Sequence, residues 1–454
     1  MINTPLYDAI KKYADGENIR FHTPGHQGVF SEGLFAGSKW DVTELPFSDN
    51  LLYPRHVIKE SERLAAEAFG STGTLFVSAG ATVANFIAVG TVSECGRNII
   101  LNRNAHKSVY AGIRLFGLTP CFFNTRKDGN GFVWPAIAED IKEMLDKTPD
   151  VAAVVITSPD YFGRTAEVEK ISGLTRQYGV KLIVDQAHGT HFAFSRLLPP
   201  SAVKYADVVV DSAHKTLPVY TGGAYLHVNG CELYRMAKLM RVKLHSTSPQ
   251  YLTLASLDYA RAKMVSEGEE AYGRLYAALM KFLGDISNTH YAVEESDDFT
   301  RLVINCRGFS GAELAAKLEG KGIYAEMSYG PRCVFILSPF NIGALAALSD
   351  ALKEIELTER AEHIDFPPLN EMNGNYTIEG KSAFYPLEEC ESRICGTEIG
   401  VYPPGVPAVV RGEAITKEIL NYLLSNRKRL FGLVDGQVCV VEEPVASNQW
   451  PVNS

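Results

Sequence analysis

Between about residue 60 and residue 230 the chain repeats one pattern: a short apolar run that stops at a polar or glycine-bearing turn, then a helical stretch. The runs are TLFVSAG, NIILNRN, TPCFF, VAAVVITSP, KLIVDQAH and DVVVDSAH. A strand with one wet face alternates apolar and polar residues. These runs do not, so they predict strands covered on both faces. The helical stretches between them, Glu60–Phe69 and ATVANFIAVGTVS among them, fit the crossovers of a mostly parallel α/β sheet. Such sheets bind ligands beyond the carboxyl ends of their strands. The turns SAGAT, NRNAHKS, TSPDYFG, DQAHGTH and DSAHKT all fall at that edge.

At 454 residues the chain exceeds one ordinary core. The predicted division is an N-terminal segment plus large domain over 1–285 and a small C-terminal α+β domain over 286–454. Residues 253–284 are periodic and alanine-rich, which predicts a long helix leaving the large domain. TRLVINC, GIYAEMSYGPRCVFILSP and a helical run near 343–357 supply the second domain. EHIDFPPLNEMNGNY reads as a linker, and a last helix is expected to begin near Thr416.

A net charge of -9 without a dense basic cluster argues against a nucleic-acid partner. No run approaches the roughly 18–20 apolar residues that cross a bilayer, and no apolar stretch follows the first residues as a secretory signal requires. The eight cysteines are dispersed, without zinc-knuckle spacing, so free thiols in a reducing cytoplasm are expected.

The chemistry sits at two strand ends. DVVVDSAHK carries Lys215 just past one apolar run, and KLIVDQAHG closes on Asp185 about thirty residues earlier. A lysine there can hold an aldehyde cofactor as a Schiff base, and the aspartate can keep a pyridine nitrogen protonated. Singly, each has a plainer reading: a surface lysine, or a helix-capping aspartate. Their pairing favours pyridoxal 5'-phosphate. Gly80, Ala81 and Thr82 open a helix whose N–H groups suit the phosphate, with Ser212 and His214 completing the cup. His106 suits a plate stacked on the ring, against a plainer role as a hydrogen-bonded loop histidine. His188 and His191 are spaced like a metal pair but lack an evident third ligand, so no metal is expected. An Asp185–His188 hydrogen bond is the alternative. Ser246 and Thr247 have an adequate plain reading as polar surface residues, and the alternative is that they meet a phosphate across a dimer seam.

Taken in order, PLYDAIKKY, FHTPGHQG, DVTELPFSDNLLYP, IKESERLAAEAFGSTGTLFVSAGAT, RNAHKS, DQAHGTHF, DSAHKTLP, STSPQYLTLASLDYARA and YPPGVPAVVRGE resemble the Orn/Lys/Arg decarboxylase family. These are fold-type I, aspartate-aminotransferase-like pyridoxal-phosphate enzymes. The resemblance covers nearly the whole chain and matches the compact form without an N-terminal wing domain. It implies Lys215 as the Schiff-base lysine, Asp185 at the pyridine nitrogen and His106 on the ring. It also implies Thr82, Ser212 and His214 around the phosphate, and Ser246 or Thr247 reaching a neighbouring subunit's cofactor. The expected assembly is a homodimer or higher homo-oligomer with shared active sites. Departures from the usual pattern are Gln27, Ala81, Asp160, Arg164 and Gly222.

The implied reaction removes the α-carboxylate of a basic amino acid, arginine ahead of lysine and ornithine, leaving an amine and CO₂. Lys215 or His214 would return the proton. Asp160, Glu398 and Glu413 are possible anchors for the substrate's distal cation. Transamination, with Arg301 or Arg332 clamping the α-carboxylate, and a non-catalytic regulatory role are the alternatives.

Overall fold

The computed structural model describes residues 2–123, 134–361, 378–402 and 405–446. Helix α1 (Pro5–Ala14) begins with proline in its first turn, where a missing N–H costs nothing. Its Leu6 and Tyr7 N–H groups donate to the Asp258 carboxylate, at 2.9 and 3.3 Å. Asp49 likewise collects the N–H groups of Arg55, His56 and Ile58 at the start of α2 (Val57–Phe69).

The large sheet follows. Its strands are β1 (Gly73–Val77), β2 (Asn98–Leu101), β3 (Thr119–Phe122), β4 (Val151–Thr157), β5 (Lys181–Asp185), β6 (Val208–Asp211) and β7 (Ala224–Val228). They lie in the order β1-β7-β6-β5-β4-β2-β3. Neighbours from β3 to β6 pair in parallel, and β7 runs antiparallel to both β6 and β1. The crossovers are α3 (Gly80–Val92), α4 (Lys107–Leu115), α5 (Ala138–Lys147) and α6 (Val168–Gln177).

Successive side chains of a strand point to opposite faces, and here both faces meet apolar layers. Along β4, Val154 and Ile156 join one core cluster while Ala153 and Val155 join the other. Leu182 and Val184 against Ile183 repeat the division in β5. This is why the runs read as continuously apolar.

Strand β7 escapes that reading because AYLHV alternates as a half-wet strand would. All five residues are buried. His227 is tolerated there because its ring meets Asp211 at 3.0 Å and the Thr74 hydroxyl at 2.8 Å.

Helices α7 (Cys231–Leu244) and α8 (Tyr251–Ile286) lead out of the sheet. The 36 residues of α8 span about 54 Å at 1.5 Å per residue. A four-stranded antiparallel sheet then forms from β8 (Ala292–Val293), β9 (Arg301–Asn305), β10 (Met327–Tyr329) and β11 (Arg332–Ile336). Helices α9 (Gly311–Glu319) and α10 (Ala344–Glu354) accompany it.

The remaining chain builds two small sheets from β12 (Ile378–Pro386), β13 (Ile394–Cys395), β14 (Ile399–Val401), β15 (Val406–Val409), β16 (Leu430–Phe431), β17 (Leu433–Val434) and β18 (Gln437–Ala446). They enclose α11 (Lys417–Ser425), capped by the Thr416 hydroxyl as expected. The stretch EHIDFPPLNEMNGNY, read as a linker, lies outside the described residues.

A buried two-pronged ion pair, Arg103 with Glu413, ties this last part to the turn after β2. Glu413 also accepts the Val410 N–H at 2.8 Å. It is a structural carboxylate, and the expectation that it anchors substrate is corrected. Removing one partner of a buried pair leaves an uncompensated charge, at a cost of about 3–5 kcal/mol. Glu413→Ala is therefore expected to lower the unfolding free energy by that amount, read from denaturant unfolding followed by circular dichroism. A loss below about 1 kcal/mol would place the pair among weak surface contacts.

Candidate active site

The carboxyl ends of β4, β5 and β6, with the starts of α3 and α4, surround a cavity of about 290 Å³. Its walls include Gly80, Ala81, Thr82, His106, Asp185, His188, Ser212, His214 and Lys215, which the sequence reading had singled out. A hollow of about 610 Å³ between Tyr7, Trp40, Tyr220 and Tyr259 is larger, but it lacks any such grouping of amine, carboxylate and imidazoles.

Lys215 closes a single helical turn after β6, its N–H donating to Ser212 O at 3.0 Å. Its Nζ lies 3.0 Å from His188 Nε2. Burial lowers the lysine pKa, Asp185 opposes that shift, and Arg301 adds to it. An amine held this way is closer to the unprotonated form that attacks a carbonyl.

Asp185 ends β5 and is 3% exposed. Its oxygens accept Asn85 Nδ2 at 3.0 Å and the Ala187 N–H at 3.1 Å. The expected Asp185–His188 bond does not form, because His188 turns the other way, between Lys215 and Arg301. Among the described residues no Lys, Arg or His pairs with Asp185 within ion-pair distance. A buried carboxylate met only by neutral donors leaves its charge for a cation from outside.

Helix α3 starts at Gly80, with φ +77, and no side chain caps it. Its first-turn N–H groups, Ala81 and Thr82 included, have no partner within the helix. Gly80 N donates to Gly222 O at 2.8 Å. Gly222 has φ +93, a backbone conformation that favours glycine and accounts for that departure.

Ser212 and His214 stand 3.4 Å apart on the opposite wall. His106 caps α4, its Nδ1 engaged by Ser108 Oγ at 2.7 Å. Burial lowers the pKa of both His106 and His214.

Other expectations resolve differently. Ser246 and Thr247 are exposed and outside their own chain's cavity. His191 points away from His188, to Asp298 at 3.2 Å and Thr300 at 3.0 Å. Asp160 lines the cavity, but its oxygens are taken by Arg164 Nε at 2.7 Å and by the Phe162 and Arg164 N–H groups. Glu398 sits 3.8 Å from Arg114 and does not line the cavity. Arg332 is engaged by Glu294 at 2.6 Å, and Arg301 lies behind His188, so neither faces the cavity as a carboxylate clamp.

Three residues were missed. Asn85 is a lone amide in an apolar helix, and that isolation was a legible sign of a buried partner. Tyr161 packs against His188 with ring centroids 4.5 Å apart and the planes tilted by 53°. Its hydroxyl donates to Glu326 at 2.7 Å, and Glu326 is exposed and, among the described residues, without a cationic partner.

An uncapped helix start, a buried carboxylate awaiting a cation and a desolvated lysine around one cavity fit pyridoxal phosphate at its phosphate, ring nitrogen and aldehyde. With the sheet order above, they define a fold-type I pyridoxal-phosphate enzyme. The family profile "Orn/Lys/Arg decarboxylase, major domain" matches residues 4–290, and the corresponding C-terminal domain matches 370–430. The chain belongs to the Orn/Lys/Arg decarboxylase family.

It is 32% identical to the uncharacterised protein YaaO of Bacillus subtilis, over 93% of this chain and 94% of that protein. It is 31% identical to an arginine decarboxylase of the same organism, over 93% of each chain. The Francisella novicida lysine decarboxylase superposes with a TM-score of 0.78 at 21% identity, over 97% of this chain and 81% of that one, and so shares the fold.

Proposed function

We propose that the protein decarboxylates a basic amino acid at its α-carbon, with arginine ahead of lysine and ornithine. The carrying observation is the desolvated Lys215 amine beside the uncompensated Asp185 carboxylate in one cavity. The identity with an arginine decarboxylase over nearly the full length of both chains supports arginine. In this reading residues 1–285 hold the cofactor and residues 286–454 help to enclose it, Tyr402 and Val406 lining the cavity.

Bound pyridoxal phosphate supplies an aldehyde for an amine and a ring that accepts the electrons of a broken Cα bond. Lys215 supplies the amine. Asp185, oriented by Asn85, would keep a proton on the ring nitrogen, and His106 would hold the ring. Thr82, Ser212 and His214 would hold the phosphate with the first-turn N–H groups of the helix that Gly80 and Ala81 open, and His188 stands against Lys215. Lys215 or His214 then returns a proton to Cα.

Glu326, which lies just beyond the cavity lining and is bonded to the lining residue Tyr161, would meet the substrate's distal cation. Tyr161 orients that carboxylate, and the earlier candidates Asp160, Glu398 and Glu413 are otherwise engaged.

The assembly is a homodimer or higher oligomer. Ile19, Phe21, Val29 and Leu34 are more than two-thirds exposed on one segment, an apolar surface that a second copy would cover. Ser246 and Thr247 are exposed on the surface, where they would reach the neighbouring copy's phosphate. No described helix is long and apolar enough to cross a membrane. Eight unpaired cysteines support a reducing compartment, the cytoplasm.

The test incubates the holoenzyme with arginine, lysine and ornithine separately and measures the amine by mass spectrometry. Arginine is expected to give the highest kcat/KM. Glu326→Gln is expected to raise KM about tenfold with kcat nearly unchanged, the loss of one partly exposed charge contact. No amine from any of the three defeats the proposed substrate class.

A further inference from the structure

One buried cation has no part in that scheme. Arg301, the first residue of β9, is 2% exposed, and among the described residues no carboxylate pairs with it. Its Nε and Nη1 have no hydrogen-bond partner. Its Nη2 approaches His188 O at 3.0 Å and His188 Nδ1 at 3.3 Å.

A guanidinium only donates, so His188 Nδ1 must accept and carries no proton. The proton of the neutral ring then sits on Nε2, which lies 3.0 Å from Lys215 Nζ. Nε2–H donates, so Lys215 must accept, and an ammonium has no lone pair with which to accept. One chain of three side chains thus dictates the protonation of the lysine.

We propose that Arg301 is a positioning residue: by donating to His188 Nδ1 it keeps the imidazole proton on Nε2, and that proton holds the Lys215 amine unprotonated for attack on a carbonyl. This rests on the reading that Lys215 holds the cofactor.

The surroundings agree. Groups that face Lys215 are Asp185 from β5, His188, His106 before α4, its neighbour His214, Arg301 from β9 and Glu326 beside β10. Asp185 and Glu326 favour the charged amine, while burial and Arg301 oppose it. The titratable and charged groups around His188 are Lys215, Arg301, His106, Tyr161 and, turned away from it, His191. Burial and the cations push its pKa well below the ordinary histidine value. Gly163 leaves room for the arginine stem, since a Cβ there would come within 2.8 Å of Arg301 Cβ.

Capture of an aldehyde by an amine uses the nitrogen lone pair and expels one water. Its rate therefore follows the unprotonated fraction of Lys215. The full chain, freed of cofactor, is mixed with pyridoxal 5'-phosphate between about pH 6 and about pH 10. Borohydride then fixes the adduct, and mass spectrometry counts it on the Lys215 peptide.

Arg301→Met is expected to move the midpoint of capture up by about one pH unit, slowing capture near neutrality about tenfold while the rates converge in alkali. Arg301→Lys, which keeps a cation and a donor, is expected to recover part of the shift. A midpoint within about 0.3 unit of the native one in a folded Arg301→Met chain overturns the proposal. A native chain that traps nothing on Lys215 at any pH instead overturns the assignment beneath it.

Should Arg301→Met fail to fold, a measurement on the native chain decides. In the ¹⁵N-histidine-labelled protein, the His188 resonances, identified by their loss in His188→Gln, are expected to show a bare Nδ1 and a protonated Nε2. The reverse pattern, or a doubly protonated ring, contradicts the proposal.

Discussion

Lys215→Ala is expected to abolish both cofactor attachment and turnover, the largest effect of any single substitution in this protein. In the proposed mechanism the residue is the amine that captures the aldehyde and, with His214, one of two candidate proton donors to Cα. Loss of proton transfer alone costs about 10²–10⁴-fold in rate. Loss of the covalent tether removes in addition the borohydride-fixed adduct from the peptide around residue 215. The protein is expected to stay folded, since Lys215 ends a one-turn helix and its Nζ makes a single hydrogen bond, to His188. A Lys215→Ala chain that kept even a tenth of native turnover would reject the assigned role.

Asp185→Asn is the second large effect. The carboxylate is 3% exposed and is met only by Asn85 and the Ala187 N–H. Such a charge is costly to bury unless a cation completes it, and in the proposed mechanism a protonated ring nitrogen would be that cation. An asparagine keeps the shape but offers no charge to hold the proton. A close, desolvated charge pair is worth about 2–5 kcal/mol, so kcat is expected to fall by about two to three orders of magnitude. In the chain without cofactor the same substitution is expected to be neutral or stabilising, because it removes an uncompensated buried charge. Thermal melts of the cofactor-free and cofactor-bound forms separate the two effects. A lower melting temperature in the cofactor-free form would contradict this account of Asp185.

The sequence made the large sheet legible because its strands are buried on both faces. Ala153 to Ile156 and Leu182 to Val184 cannot be mistaken for half-wet strands. The same rule hid β7, whose buried Tyr225 and His227 look like wet positions until Leu257 O, Asp211 and Thr74 are seen to satisfy them. Strands β12 and β18 were hidden too, since their pairing joins Tyr385 to Val438 across more than fifty residues and no local pattern announces it.

Within the cavity, the residues at strand ends and helix starts were readable from turn chemistry. Arg301 and Glu326, outside the cavity lining, were not, because their contacts with His188 and Tyr161 arise only when the small antiparallel sheet folds back on the large one. Arg301 meets His188 across 113 positions, and Tyr161 meets Glu326 across 165. Glu413 misled for the opposite reason: a lone acidic residue in a conspicuous motif is used to hold Arg103.

The central claim is that one cavity, built around Lys215 and Asp185, breaks the bond between Cα and the carboxylate of a basic amino acid. The most direct test supplies the holoenzyme with arginine ¹³C-labelled at the carboxyl carbon. The account predicts labelled CO₂ and unlabelled amine in equal amounts, with both lost in Lys215→Ala. Label retained in a keto acid, with no CO₂ released, would contradict it.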